Sequence, residues 1–180
     1  MSESLTPEAL NAQAQKYFRS GNFTQAASLY LAVEDRYKLE ADLLQAAVMA
    51  NNRSVSLLQA GDPQGALEAL EGTLKIFEDF GDIRHLAMTW GNQASALATL
   101  GQNDEAEEAF RRASELFKEI GDSELYLSTM RSLSELQLQS HRFLESVSSM
   151  QAGINQIKKP NLSQRFLKRL LNIPSRLLNR

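Results

Sequence analysis

A fixed set of side chains returns every fortieth position along this chain, and that recurrence limits the fold more than any other feature. Gly21, Gly61 and Gly101 fall in one column, with His141 in the fourth copy. Ala14, Ser54, Ala94 and Ser134 form a column of small residues; Ala26, Ala66, Ala106 and Ser146 form another. Tyr30, Leu70, Phe110 and Met150 are large and apolar, as are Tyr37, Phe77, Phe117 and Ile157. Asp42, Asp82 and Asp122 complete the pattern. A chain with this self-similarity stacks like units, each of which buries its apolar face on its neighbours.

Inside each copy the apolar residues recur at three and four, the spacing of one helix face: Leu86, Trp90, Ala94, Leu97, then Ala106, Phe110, Ala113, Phe117. Thr6 and Pro7 suit the start of a first helix, since a hydroxyl can accept an orphan N–H and proline has none to lose. Gly21 is placed to end that helix and Asn22 to cap the next. Gly61-Asp62-Pro63 is the most explicit break, after which a helix is expected to run to about Phe80. The fourth copy departs most, with His141 for glycine, Ser146 for alanine and Gln137 in the column of Leu97. Strand signals are absent. The fold class read from these features is all-α. Four helical hairpins span about 6–40, 41–80, 81–120 and 121–158, and a basic amphipathic helix or cap spans 159–180.

Several functions are excluded by what the chain lacks. The longest apolar run, Ala46 to Ala50, is far too short to cross a bilayer, and the acidic N-terminal stretch does not read as a secretory signal. No cysteine is present, so thiolate metal sites are ruled out and a reducing, cytoplasmic setting is expected. His85 and His141 lack any metal-ligand spacing, and no phosphate loop or nucleophile motif occurs. The acids Asp104, Glu105, Glu107 and Glu108 are expected to be a solvated helix start, which the helix dipole favours. No catalytic residue, cofactor or metal is therefore expected. Residues 1–157 hold twelve cations against twenty-two acids, which argues against nucleic acid as a partner. Residues 158–180 carry seven cations and no acid.

Trp90, Ala94 and Leu97, followed by Ala106 and Phe110, match the pattern of the tetratricopeptide repeat (TPR) family. Gln93 stands where that family has leucine, and Gly121-Asp122 where it has a closing proline. The resemblance covers residues 6 to about 158. With a forty-residue period, the chain is similar to the longer-helix variants of G-protein regulator scaffolds, kinesin light chains and bacterial peptide-responsive regulators. It implies a solenoid of TPR-type hairpins whose first (A) helices line a concave face, and a non-enzymatic adaptor that holds a partner peptide or helix there. The columns so placed include Asn11, Asn51 and Arg131, then Asn52 and Asn92, then Gln15, then Gln59. Amide side chains both donate and accept, which suits an extended peptide backbone. Family members that clamp a carboxylate would need lysines where Glu8, Val48 and Met88 stand.

The last segment has its own pattern. Leu162, Phe166, Leu167, Leu170, Leu171 and Ile173 share one helical stripe, with Arg165, Lys168 and Arg169 opposite and Arg176 beyond. Three readings fit it: a cap on the open end of the array, an anchor for an anionic membrane surface or acidic partner, and a homodimer contact. The second would place the protein peripherally on the cytoplasmic membrane face.

Overall fold

The computed structural model describes residues 6–171, and every element among them is helical. The helices are α1 (Pro7–Arg19), α2 (Phe23–Leu39), α3 (Leu43–Gln59), α4 (Pro63–Ala69), α5 (Thr73–Phe80), α6 (Ile83–Thr99), α7 (Asn103–Glu119), α8 (Ser123–Gln139), α9 (Phe143–Asn155) and α10 (Leu162–Leu171). Helices α1, α3, α6 and α8 are the A helices of four hairpins. Their B helices are α2, the pair α4 and α5, α7, and α9. The architecture is a TPR-like helical-hairpin solenoid.

One backbone turn builds it. At Gly21 the chain takes φ 79°, and the left-handed residue lets two N–H groups fold back: Asn22 donates to Tyr17 O at 2.9 Å and Gly21 to Phe18 O at 3.1 Å. This pair closes the last helical turn and satisfies carbonyls that would otherwise be orphaned. The same pair recurs around residues 41, 61, 81, 101, 121 and 141. Turns within a hairpin and turns between hairpins are therefore alike, and the backbone repeats every twenty residues. Ala41 and His141 adopt φ 59° without being glycine. After each turn a new helix starts. Asp42, Asp62, Asp82 and Asp122 each accept an N–H of the first helical turn through their side chains. Asn22 does not: its amide donates to Ser20 Oγ at 2.9 Å, so the cap expected of it is missing.

The small columns let helices approach. Ala14, Ala26, Ala66, Ala94 and Ala106 have no exposed surface, and the aromatic columns fill the spaces beside them, with Tyr30, Phe77, Phe110 and Phe117 all buried. Trp90 packs against two neighbouring core clusters and so joins the second and third hairpins.

The second B helix departs from expectation. Instead of one helix from Pro63 to Phe80, Leu70–Gly72 forms a break, with Gly72 left-handed at φ 76°. Thr73 Oγ1 donates to Leu70 O at 2.7 Å, taking the carbonyl that an unbroken helix would offer to Leu74. Side-chain competition of this kind, next to a glycine, favours interruption. Register survives it, because Phe77 remains fully buried in its column.

Two stability outcomes test this account by thermal or denaturant unfolding. Ala41→Gly should stabilise the protein by about 1 kcal/mol, since it removes a left-handed alanine. Ala106→Leu should destabilise it by about 1–3 kcal/mol through overpacking.

Candidate functional site

The A helices leave a cleft between α6 and α8. Phe110, Phe117, Met88 and Leu125 give it an apolar base, while Asn92, Ser95, Ser128 and Ser132 bring polar atoms to it. Its volume is about 200 Å³, and no charged side chain lines it. That is smaller than the roughly 300–1,000 Å³ of a typical small-molecule pocket. It suits one inserted side chain better than a cofactor.

Gly91 lies on the same wall, in the middle of α6. A Cβ built there would meet nothing within 4 Å. Packing therefore does not require glycine at this point, although glycine inside a helix costs about 1 kcal/mol relative to alanine. Gly153 in α9 is the contrast: a Cβ there would lie 2.9 Å from Met130 Cβ.

Of the residues expected on this face, Asn92 lines the cleft, and the others lie elsewhere on the A helices. Asn11 and Gln15 lie on α1, where Gln15 Nε2 and Asn11 Oδ1 are 3.5 Å apart. Asn52 on α3 and Asn92 on α6 are half-buried, whereas Gln59 and Arg131 are exposed. Asn51 differs from expectation, being only 2% exposed. It sits between α3 and α6, where its Oδ1 accepts from Thr89 Oγ1 at 3.0 Å and its Nδ2 is buried without a partner. Neighbouring A helices approach here, so the column of Asn11 is covered at the second hairpin, half-buried at Asn11 and Gly91 and exposed at Arg131. Met88, Leu125 and Ser128 join the cleft without a sequence signal of their own. The interior glycine at 91 is the signal that could have found it.

Buried charge lies away from this cleft and ties neighbouring hairpins together. Glu34 of α2, 3% exposed, pairs with Arg53 of α3 at 2.9 Å and with Lys38 at 2.6 Å. Glu107 of α7 is not the solvated acid expected of a helix start but is 9% exposed. It accepts from Arg111, from Arg142 in the α8–α9 turn, and from Gln137. Ser149 Oγ in turn donates to Gln137 Oε1 at 2.8 Å. Burial opposes ionisation of Glu107, but hydrogen bonds from Arg142 and Arg111 outweigh it and hold the carboxyl below its ordinary range. Arg111, Gln137 and Ser149 also line a larger cleft of about 360 Å³ beside α7, α8 and α9. These groups already partner one another or Glu107, so the role of this network is structural.

His85 stacks on Phe77 with centroids 5.4 Å apart and pairs through Nδ1 with Asp82 Oδ2 at 2.7 Å. Among the described residues no cluster of three or more potential metal ligands occurs, and no helix is long and apolar enough to cross a membrane.

The arrangement of paired helices and left-handed turns has a counterpart in known proteins. The Tetratricopeptide repeat family matches residues 11–79 and again residues 85–159. The chain belongs to the TPR family. A crystal structure of nearly identical TPR-like repeats, assigned to a Podosopora anserina kinesin light chain, superposes with a TM-score of 0.73 at 14% identity. The match covers 97% of this chain and 90% of that one. A second crystal structure, of a point variant of those repeats, gives 0.68 at 14% identity, covering 97% and 100%. At this identity the likeness concerns the fold alone. No curated protein matches the sequence. TPR repeats generally mediate protein–protein interactions, and the fold is typically a non-catalytic scaffold.

The last helix is described only in part. Arg165, Phe166, Lys168, Arg169 and Leu170 lie on α10, while Arg176 and Ile173 fall outside the described residues. The apolar stripe expected there is divided: Leu167 and Leu171 are half-buried, but Leu162, Phe166 and Leu170 are exposed.

The Glu107 contacts carry a sign for pH dependence. A carboxyl with a lowered folded pKa contributes stability above its unfolded pKa of about 4.5, which is lost as pH falls through the folded value. Acid unfolding should therefore be less steep in Glu107→Gln. At neutral pH, Glu107→Ala should destabilise the protein by about 2 kcal/mol in denaturant titration, since it removes the tie from Arg142 to α7 and leaves the buried Gln137 Nε2 without its acceptor.

Proposed function

We propose that this protein is a non-enzymatic adaptor that holds an extended peptide or a helix of a partner protein along its A helices. The observation that carries this reading is Gly91. A helix-interior glycine with open space where its side chain would stand keeps the cleft between α6 and α8 clear, at a cost in stability that packing does not explain. The lining fits a peptide. Met88, Leu125 and the two phenylalanines receive an apolar side chain, and Asn92 and Ser132 offer hydrogen bonds to the main chain beside it. Absence of charge in the lining favours an uncharged segment over an acidic or basic one.

In this reading the contact continues along the array through Asn52 and Gln59 on α3 and Asn11 and Gln15 on α1. Asn51 joins α3 to α6 through Thr89, and Arg131 lies exposed on α8. Protein partners are the class that the TPR family supports; the groove and the residues named are our assignment.

Gly91→Phe should fill the cleft and abolish partner capture in affinity purification with quantitative mass spectrometry. Gly91→Ala should raise the unfolding free energy by about 1 kcal/mol. Asn52→Ala with Asn92→Ala should weaken the same captures, whereas an exposed B-helix variant such as Lys75→Gln should not. Undiminished capture by Gly91→Phe, with its melting temperature retained, would remove the groove assignment.

A further inference from the structure

Helix α10 is an amphipathic helix whose apolar face is only half used. At about 100° per residue, Leu162, Phe166 and Leu170 form one continuous strip, and Leu167 and Leu171 extend it around the helix. Arg165 and Arg169 border the strip on its other side. The protein covers the Leu171 edge, which packs against a cluster of Leu127, Ile154 and Ile157. The other edge stays open: Leu162 is 83% exposed, Phe166 70% and Leu170 52%. A helix that only caps a repeat array should turn a polar face outward. This one turns out leucine and phenylalanine beside arginine.

Charge selects the occupant. After Glu145 the sequence has no acid, and Lys158, Lys159, Arg165, Lys168 and Arg169 all lie on or just before α10. The same face of a second copy would bring its own five cations against these, so symmetric pairing is disfavoured. An anionic lipid surface answers both features. Leucine and phenylalanine enter the acyl boundary, and flanking arginines remain at headgroup level with their stems along the apolar strip. We infer that the exposed edge of α10 docks this protein on anionic membrane surfaces, with Leu162, Phe166 and Leu170 inserted and Arg165 and Arg169 at the phosphates. This attachment leaves the cleft between α6 and α8 unoccupied, so it stands or falls separately from peptide binding.

The test is co-sedimentation of the full chain with vesicles of phosphatidylcholine alone or with roughly equal parts of phosphatidylglycerol. Binding is expected only to the mixed vesicles and should weaken as salt rises. Arg165→Gln with Arg169→Gln should reduce partitioning about thirtyfold, on the usual contribution of a cation near an anionic surface. Lys158→Gln with Lys159→Gln, both exposed before α10, gives the same charge test without touching the helix. Phe166→Ser with Leu170→Ser should abolish binding while the melting temperature is kept. Equal binding to both vesicles, or none to either, would overturn the proposal. So would binding of a polyglutamate peptide in place of vesicles, or a dimer by light scattering that Phe166→Ser dissolves.

Discussion

The left-handed turn is the constraint on which the structure depends. It ends a helix at a fixed point, satisfies the last carbonyls and sends the chain back after three residues. Because it recurs every twenty residues, helices α2, α3, α6, α7 and α8 are all 17 residues long. Equal lengths with equal turns put the same face of each helix against the same neighbour. That is why the small columns meet and the aromatic columns fill the space beside them. The forty-residue recurrence is thus two backbone steps that differ only in which side chains they carry. Ala41 and His141 show how strong the constraint is: the surrounding structure holds even these in a conformation that costs L-residues about 1–2 kcal/mol.

Polar side chains then distinguish one junction from another. Glu34 ties the first hairpin to the second through Arg53, and Asn51 meets Thr89 between the second and third. Glu107 ties the third to the fourth. The fourth hairpin looks degraded in sequence because serine and glutamine replace alanine and leucine. In the structure these residues pair with one another: Ser134 Oγ donates to Ser146 O at 2.8 Å, and Gln137 bridges Ser149 to Glu107. Buried polar groups that satisfy each other in this way fix a register that an all-apolar contact would leave looser.

The chain is legible wherever one residue type answers to one local rule. Turn glycines, capping aspartates and small columns act within a few positions of themselves, and each can be read from spacing. Asn22 makes no capping bond; its Nδ2 donates to Ser20 Oγ, a local pairing that spacing does not reveal. The break at Leu70–Gly72 is hidden because helix-period apolar residues continue through it, and Phe77 holds the same column with or without it. Asn51 and Glu107 escape a sequence reading for a different reason. A polar residue on a helix is read as exposed unless its partner is known, and both have partners about thirty residues or more away. Tertiary partners of that kind leave no mark in local spacing. The division of the α10 stripe is likewise a tertiary result, set by how much of the helix α9 can cover.

Gly91 and Gly153 stand in opposite packing surroundings. Both lie inside helices and both carry the same backbone cost. Gly153 offsets that cost through close approach to Met130 and Leu127, so the stability of the α8–α9 contact explains it. At Gly91 a Cβ would meet nothing within 4 Å, so close packing does not account for the glycine. Under the proposed function it keeps open a cleft lined by half-buried Met88 and Leu125 above the buried Phe110 and Phe117. Apolar surface that stays exposed gains its hydrophobic free energy only when something outside the chain covers it. The same reasoning applies at α10, where apolar side chains stand exposed beside arginine. The two places differ in charge and shape, one a neutral cleft and the other a basic helix face, and the occupants proposed for them differ accordingly.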